Sequence, residues 1–162
     1  MTDQTSVSAL PPVGALLRRP EVAVRHEVLS DLRNAGFDDF LPAHLGVFQY
    51  PGPDGQYPGV LAHRTCASKQ AMNHLLHQLE ISGYLTRETS AASASDHRRR
   101  VIRLTERGRA AQASITGTMT RLDRDWYQAL GPEAFGNLAQ ALEQLNGVNE
   151  VGNTGQVSRR AS

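Results

Sequence analysis

The amino-acid sequence predicts a mainly α-helical protein with one small β-hairpin, which places it in the α+β class. Apolar residues recur at intervals of three and four along most of the chain, as on the buried face of an amphipathic helix. Only the stretch between Tyr84 and Leu104 is typical of paired strands. We therefore expect four helices, a hairpin and two further helices, in that order.

The first helix is predicted between Pro12 and Ala35, with an expected bend or restart at Pro20 and an end at Gly36. Its apolar positions are Val13, Leu16, Leu17, Val24, Val28 and Leu32. A second helix is predicted to start at a cap on Asp38 or Asp39 and to continue to about Gln49. The following Pro-Gly-Pro-Asp-Gly run predicts a turn.

Two close helices are predicted between Tyr57 and Ser82, with a tight break at Cys66-Ala67-Ser68 and Ser68 as the cap of the second. The second helix begins at Lys69 and ends at Gly83. One of its faces is apolar, and the other carries hydrogen-bonding side chains, namely Lys69, Gln70, Asn73, His74 and His77.

The hairpin is predicted to pair Tyr84–Glu88 with Arg99–Leu104 around a tip of Thr, Ser and Ala residues. Thr105 is a helix-cap signal at the start of a long helix, which is broken at Gly131-Pro132 before a last helical stretch. Both ends lack periodicity, and we expect them to be disordered over residues 1–11 and 147–162.

Charge is distributed unevenly along the chain. The net charge is only +1, but the segment from Val60 to Ala110 holds nine Lys or Arg and four acids, a net charge of +5. The rest of the chain has eight cations and twelve acids, a net charge of −4. A basic hairpin next to a helix, in a chain that is otherwise acidic, indicates a surface that binds phosphate groups. Nucleic acid is therefore the first partner to consider.

Two close helices followed by a hairpin with a basic wing form a winged helix-turn-helix. The stretch Asp96-x-Arg98, followed by Leu104-Thr105-x-x-Gly108, resembles the wing and helix start of the MarR family of bacterial transcription regulators. Upstream, Leu79-Glu80-x-x-Gly83-Tyr84-Leu85 with Arg87 resembles the helix-turn-helix of that family. This chain departs from the family in a wing that is a few residues longer and in Cys66, which stands where glycine is common.

The resemblance implies one MarR-like domain over residues 12–146. Its winged helix spans about 37–105, and its dimerisation helices span about 12–35 and 105–146. Such a protein is a DNA-binding regulator, expected here to be a repressor that binds a pseudo-palindromic operator as a homodimer. Apolar helix positions such as Val28, Leu32 and Ile115 fit either the dimer interface or the core beside it.

The resemblance also implies which side chains meet DNA. Asn73, His74 and Gln70 are expected to read base edges from the recognition helix, which also carries His77. Arg98 is the expected minor-groove probe, with Asp96 orienting it. Phosphate contacts are expected from Arg64, Ser68, Lys69, Arg99 and Arg100.

Members of this family often release DNA when a small aromatic molecule binds. Phe40, His44 and Phe48 are the candidates for lining such a cleft, although they fit the core equally well. A redox role for Cys66 is disfavoured, because it has no partner cysteine and is expected to be buried. A metal site at His74 and His77 is disfavoured because no third ligand lies near them in the sequence.

Other functional classes find less support. We find no nucleophile elbow, Gly-rich phosphate loop, HExxH motif or pair of carboxylates, so we expect no enzyme and no cofactor. A winged helix that binds only protein is the alternative to DNA binding. The chain has no apolar run of about 20 residues and no signal-peptide pattern, so we expect a cytoplasmic, nucleoid-associated protein without a membrane partner.

Overall fold

The computed structural model describes residues 11–89 and 100–157. It confirms a mainly helical fold with one two-stranded antiparallel hairpin. The elements are helix α1 (Val13–Asn34), a 3₁₀ helix (Pro42–Gly46), α2 (Pro58–Arg64), α3 (Lys69–Ile81), strands β1 (Leu85–Thr89) and β2 (Arg100–Leu104), α4 (Glu106–Leu130) and α5 (Pro132–Val157).

Helix α1 is continuous through Pro20, so the helix does not restart there. The proline lies on an exposed stretch of the helix, where its missing N–H removes one hydrogen bond without leaving a buried group unpaired. Gly36, at a φ of +86°, allows the chain to turn, and the Phe37 N–H donates to the Leu32 carbonyl at 2.9 Å. This is the hydrogen-bond pattern of a glycine-terminated helix.

The predicted extent of the second helix, from Asp38 or Asp39 to about Gln49, is wrong. Only the 3₁₀ helix Pro42–Gly46 forms in this stretch. Asp39 does not cap it, since its carboxylate accepts hydrogen bonds from two other elements. The N-cap residue is Leu41, whose N–H donates to Nδ1 of His44, three residues later, at 3.1 Å. Tertiary hydrogen bonding therefore overrides the capping signal that the sequence carries.

The two close helices form as predicted, and Ser68 caps the second by accepting from the Ala71 N–H at 3.1 Å. The turn between them places Cys66 at a φ of +52°, the left-handed conformation in which glycine is most at ease. Cys66 is exposed, so the expectation that it is buried is wrong. Cys66 lies two residues after the end of α2, in the turn that the Ala67 N–H closes on the Ala62 carbonyl.

The hairpin pairs Leu85 with Leu104 at its base, and the register continues to the described ends of both strands. A third segment joins it on the far side of β2. There the Gly55 N–H donates to the Ile102 carbonyl, and the Ile102 N–H donates to the Gln56 carbonyl, both at 2.8 Å. The residues before α2 thereby extend the hairpin into a small three-stranded arrangement. The predicted wing tip lies outside the described residues.

The core lies between α1, the 3₁₀ helix, α2, α3, the hairpin and the start of α4. Phe40, Phe48 and Tyr84 form its aromatic centre, with ring centroids 5.2 to 6.5 Å apart and edge-to-face geometry. Its other buried members are Val28, Leu29, Leu32, Val47, Leu61, Ala62, Met72, Leu76, Leu79, Leu85, Ile102, Leu104, Ala111 and Ile115. Val28, Leu32 and Ile115 thus belong to the core.

His44 is a buried polar residue within this core. Its Nδ1 accepts from a backbone N–H, so the ring hydrogen lies on Nε2, 3.4 Å from Gln78 Oε1 on α3. Burial lowers the pKa of the His44 imidazole, while the Gln78 hydrogen bond and the Asp39 carboxylate act in the opposite direction. The neutral ring is therefore the form that the folded protein stabilises.

The hairpin and α4 meet at one crowded junction. The Thr105 N–H donates to the Tyr84 carbonyl at 3.1 Å, and the Thr105 hydroxyl donates to the Gly83 carbonyl at 2.6 Å. The same hydroxyl accepts from the Gly108 N–H at 3.1 Å, which confirms Thr105 as the cap of α4. A Cβ on Gly108 would lie 1.9 Å from the Tyr84 carbonyl oxygen, so only glycine fits there.

The chain divides into two compact units, of which the first ends at Met119 and the second begins at Thr120. Helix α4 starts in the first unit. In the second unit, Gly131 at a φ of +80° separates α4 from α5, and the Tyr127 and Phe135 rings pack 5.8 Å apart across this turn. Helix α5 continues to Val157, past residue 147 where we expected a disordered tail, because extending an existing helix costs little.

None of the helices within residues 11–89 and 100–157 is both long enough and apolar enough to cross a membrane.

The Gly108 contact predicts a large effect of a single methyl group. We expect Gly108→Ala to lower the free energy of unfolding by about 3 kcal/mol, because its Cβ must displace the Tyr84 backbone. Gly117→Ala on the same helix is the matched control, since nothing lies within 4 Å of its Cβ. It should raise the stability by up to about 1 kcal/mol. Urea denaturation measures both, and equal effects of the two variants would contradict the close packing.

The buried imidazole predicts a pH dependence of stability. Because the folded-state pKa of His44 lies below the ordinary value of about 6.5, the unfolded chain takes up this proton first as the pH falls. Stability is therefore lost below about pH 6.5, by up to roughly 1.4 kcal/mol per pH unit. His44→Asn retains an acceptor but does not titrate. Between pH 7.5 and pH 5.5, the urea midpoint should fall less in the variant than in the wild type. Equal falls in the two proteins would show that His44 does not cause the pH dependence.

Candidate nucleic-acid interface

Helix α3 presents one buried and one exposed face, as the sequence predicts. Met72, Leu76 and Leu79 are at most 1 % exposed and anchor the helix to the core. The predicted row lies on the opposite side, and the structure places all its members at the surface: Lys69, Gln70, Asn73, His74 and His77. A rigid helix with a row of exposed donors and acceptors has the shape and chemistry that enter a DNA major groove.

The start of α3 is held by its cap. Ser68 is exposed, and its Oγ receives the Ala71 N–H, so the first turn is ordered. The other N–H groups of this turn and the helix dipole add partial positive charge beside Lys69. The arrangement suits a phosphate at this end of the helix.

Arg64 was predicted to contact phosphate, but its guanidinium bonds to backbone carbonyls of the protein. Its guanidinium is half-buried and donates to the carbonyls of Gln49 at 2.8 Å, Tyr50 at 2.7 Å and Gly52 at 3.4 Å. These bonds direct its donors toward the loop before α2. Sequence reasoning could not find this use of Arg64, because the loop carbonyls come from residues 12 to 15 positions earlier in the chain.

The basic wing is partly described. Arg100 begins β2 and is exposed, whereas Arg103 on the same strand pairs with Glu88 across the hairpin at 3.5 Å. Arg87 on β1 pairs with Glu80 of α3 at 3.2 Å. Asp96, Arg98 and Arg99, predicted as wing contacts, lie outside the described residues.

A cleft that the sequence did not predict lies between α2, α3 and the hairpin. Its volume is about 520 Å³, and its lining includes Tyr57, Pro58, Gly59, Val60, Asn73, Arg87 and Arg100. Arg87 and Arg100 are diagonal neighbours on one face of the hairpin, since Arg87 pairs with Ile102 and Arg100 with Thr89. The cleft therefore combines two guanidinium groups, an amide and an apolar wall. The pairing register that joins the two arginines emerges only from the folded hairpin.

The candidate ligand residues Phe40, His44 and Phe48 are 1 to 4 % exposed and pack in the core. The Phe40 ring lies 5.4 Å from His44 and 5.2 Å from Phe48. Their placement does not support a cleft lined by these three side chains. Their spacing along the chain is equally suited to core packing, and the structure places them there.

Among residues 11–89 and 100–157, no three His, Cys, Asp or Glu side chains are close enough together to hold a metal ion.

Comparison with known proteins relates this geometry to a family of structures. No protein-family model and no curated protein sequence matches the chain. A solved MarR family protein of Mycobacterium tuberculosis, in complex with salicylic acid, is 27 % identical, covers 86 % of this chain and 99 % of its own, and has a TM-score of 0.58. A transcriptional regulator of Thermotoga maritima is 25 % identical, with coverages of 88 % and 97 % and a TM-score of 0.53.

The transcriptional repressor CouR, solved on a 23-mer DNA duplex, is 21 % identical and has a TM-score of 0.62 over 90 % of this chain and 98 % of its own. The last two of these neighbours are named as transcriptional regulators. Each of these three matches covers at least 86 % of this chain and at least 97 % of the other chain. The chain has a winged-helix fold like that of MarR family regulators.

Proposed function

We propose that the chain is a DNA-binding transcriptional repressor that binds a pseudo-palindromic operator as a homodimer. The observation that carries this proposal is the exposed polar row of α3, from Lys69 to His77, on a helix whose other face is fully buried. The DNA-bound repressor among its structural neighbours supports the same reading. A helix held this rigidly keeps its side chains in place for reading bases.

In the proposed complex, α3 lies in the major groove. Asn73 suits adenine, because its amide can donate to N7 and accept from the N6 amino group at the same time. Gln70 carries the same amide, whereas a neutral His74 has one donor and one acceptor on separate ring nitrogens. Lys69 and Ser68, at the start of the helix, contact phosphates and position the protein without reading sequence. Asn73 also lines the cleft beside the hairpin, which brings it close to the wing.

The wing is proposed to follow the neighbouring minor groove. Arg100 is exposed at the start of β2 and contacts phosphate. Arg98 enters the minor groove with Asp96 as its holder, and Arg99 adds a phosphate contact. Arg103 is less suited to DNA, since Glu88 already neutralises its charge.

Exposed apolar side chains support the proposed homodimer. In the first unit, Val13, Leu16 and Leu17 of α1 are 39 to 62 % exposed, and in the second unit Leu138 and Leu145 of α5 are similarly exposed. Apolar positions repeated on the outside of terminal helices are typical of surfaces buried by a second copy. Sedimentation equilibrium at micromolar concentration measures the number of subunits.

The alternative is a winged helix that binds protein and not DNA. Such a module needs no row of amide, imidazole and ammonium groups on α3, and the exposed row from Lys69 to His77 favours DNA. Retention on DNA-cellulose at low salt distinguishes the two, because a protein-binding module would wash through.

A small aromatic acid is proposed as the effector. One structural neighbour holds salicylic acid, and this chain has an open cleft in which two arginines face an apolar wall containing Pro58 and Val60. A carboxylate would pair with Arg100, since Glu80 already pairs with Arg87, and an aromatic ring would pack on the wall. Because Asn73 lines the same cleft, an occupant there would disturb the DNA-reading surface.

Two exposed residues of α3 are predicted to affect DNA binding differently. Asn73→Ala should weaken binding to the operator by roughly 1 to 3 kcal/mol and leave non-specific DNA almost unaffected, because it removes a base contact. Lys69→Ala should weaken binding to both DNAs and lower the slope of log K against log salt by about one, because it removes a phosphate contact. Fluorescence anisotropy over a salt series measures both quantities.

Arg103→Gln is the control for this experiment, because it also alters an exposed side chain near the interface but one already paired with Glu88. It should bind both DNAs almost like the wild type. Wild-type affinity in all three variants would overturn the proposed reading surface.

The cleft predicts a specific sensitivity to aromatic acids. Salicylate at ten times its Kd should stabilise the wild type by about 1.4 kcal/mol, seen as a rise in Tm. Arg100→Gln should reduce this rise by at least half, whereas Arg103→Gln on the same strand, outside the cleft, should retain it. An equal rise in all three proteins would place the ligand elsewhere, and no rise would argue against this effector.

A further inference from the structure

We infer that Arg64 is a positioning residue that sets the wing relative to the recognition helix α3, and not a phosphate ligand. It acts through the segment of residues 49–56, here named the strap, which crosses from the end of the 3₁₀ helix region to the start of α2. The effect on DNA rests on the proposed DNA-binding function, whereas the effect on the wing does not.

Arg64 holds the first half of the strap. Its Nη2 donates to the carbonyls of Gln49 and Tyr50 at 2.8 and 2.7 Å, and its Nη1 points at the Gly52 carbonyl at 3.4 Å. The planar fork of a guanidinium can meet several carbonyls of one turn at once, which the single ammonium of a lysine cannot do with fixed geometry. The turn itself is closed by the Gly52 N–H, which donates to the Gln49 carbonyl at 2.6 Å.

The second half of the strap holds β2. Asp54 Oδ1 accepts from the Leu104 N–H at 2.8 Å, while Gly55 and Gln56 exchange hydrogen bonds with both backbone groups of Ile102. Three hydrogen bonds therefore connect the strap to the last strand of the wing. The strap is the only described segment that pairs with this edge of β2.

The middle of the strap has little freedom to shift. Gly52 is buried at a φ of +96°, and a Cβ there would lie 3.0 Å from Gln112 Oε1 on α4. The Gln56 N–H closes a second turn on the Pro53 carbonyl at 3.1 Å. A displacement at the Arg64 end is thus passed along a tightly turned segment to β2 and not absorbed by it.

This connection joins the two parts of the DNA surface. Arg64 ends α2, which packs on α3, the helix that carries Asn73, and β2 begins with Arg100. Both Asn73 and Arg100 line the same cleft. Loss of the Arg64 fork should therefore move the wing with respect to α3 and leave α3 itself in place.

The test compares Arg64→Lys with Arg64→Ala. Lysine keeps the charge but loses the fork, so a positioning role predicts that both variants lose DNA affinity alike, by roughly fivefold to tenfold. The loss should not add to that of Arg100→Ala, because the displaced wing has already lost its contact, but it should add to that of Lys69→Ala. If Arg64 bound phosphate instead, Arg64→Lys would keep most of the DNA affinity. The loss of affinity in Arg64→Ala would then add to the loss in Arg100→Ala.

Hydrogen exchange gives a measurement that needs no DNA. The Ile102 and Leu104 amides, which donate to the strap, should exchange about tenfold faster in both Arg64 variants. The Met72 amide of α3, which donates to the Ser68 carbonyl, is the internal control and should not change. Unchanged exchange at Ile102 and Leu104 would overturn the inference. Failure of the wild type to bind DNA would overturn the proposed function and leave this result standing.

Discussion

The fold of the winged-helix lobe depends on one close approach, that of Gly108 on α4 to the carbonyl oxygen of Tyr84. No side chain at position 108 would allow α4 to lie this near the start of β1. Thr105 uses that proximity to satisfy the first N–H groups of the helix and the last carbonyl before the hairpin. The hairpin and α4 are consequently oriented by backbone groups, whose hydrogen-bond geometry leaves little tolerance.

Tyr84 extends this junction into both the core and the surface. Its ring is buried among Phe40 and Phe48, and its hydroxyl donates to Asp39 at 2.6 Å. Arg107 donates to the same carboxylate oxygen at 2.8 Å and stacks over the tyrosine ring, 4.6 Å from its centroid. Burial, followed by the Asp39 carboxylate, raises the pKa of Tyr84 to about 12, so the hydroxyl stays a donor at any physiological pH. One side chain thereby ties together the 3₁₀ helix region, the hairpin and α4.

The winged helix is thus oriented from two sides by different means. The Tyr84 junction sets the base of the hairpin against α4, and the strap sets β2 against α2. Arg64 lies just before helix α3, where an arginine is a natural candidate for binding phosphate. Its N–H groups nevertheless donate to backbone carbonyls of the strap. Three carbonyls of one turn lie within hydrogen-bond distance of the guanidinium, so its donors are already engaged within the fold.

The sequence by itself determined the helices α1 to α5, the hairpin and the caps Ser68 and Thr105, because periodicity and capping act over three or four neighbouring residues. It also placed the polar row of α3 on one face, which follows from the helical repeat alone. Only the tertiary structure decided that a short 3₁₀ helix forms and that Phe40, His44 and Phe48 lie in the core. It also decided the role of Arg64 and the presence of the cleft beside Arg100. Each of these depends on partners more than ten residues away, whose distances are set by how the elements pack and not by any local pattern.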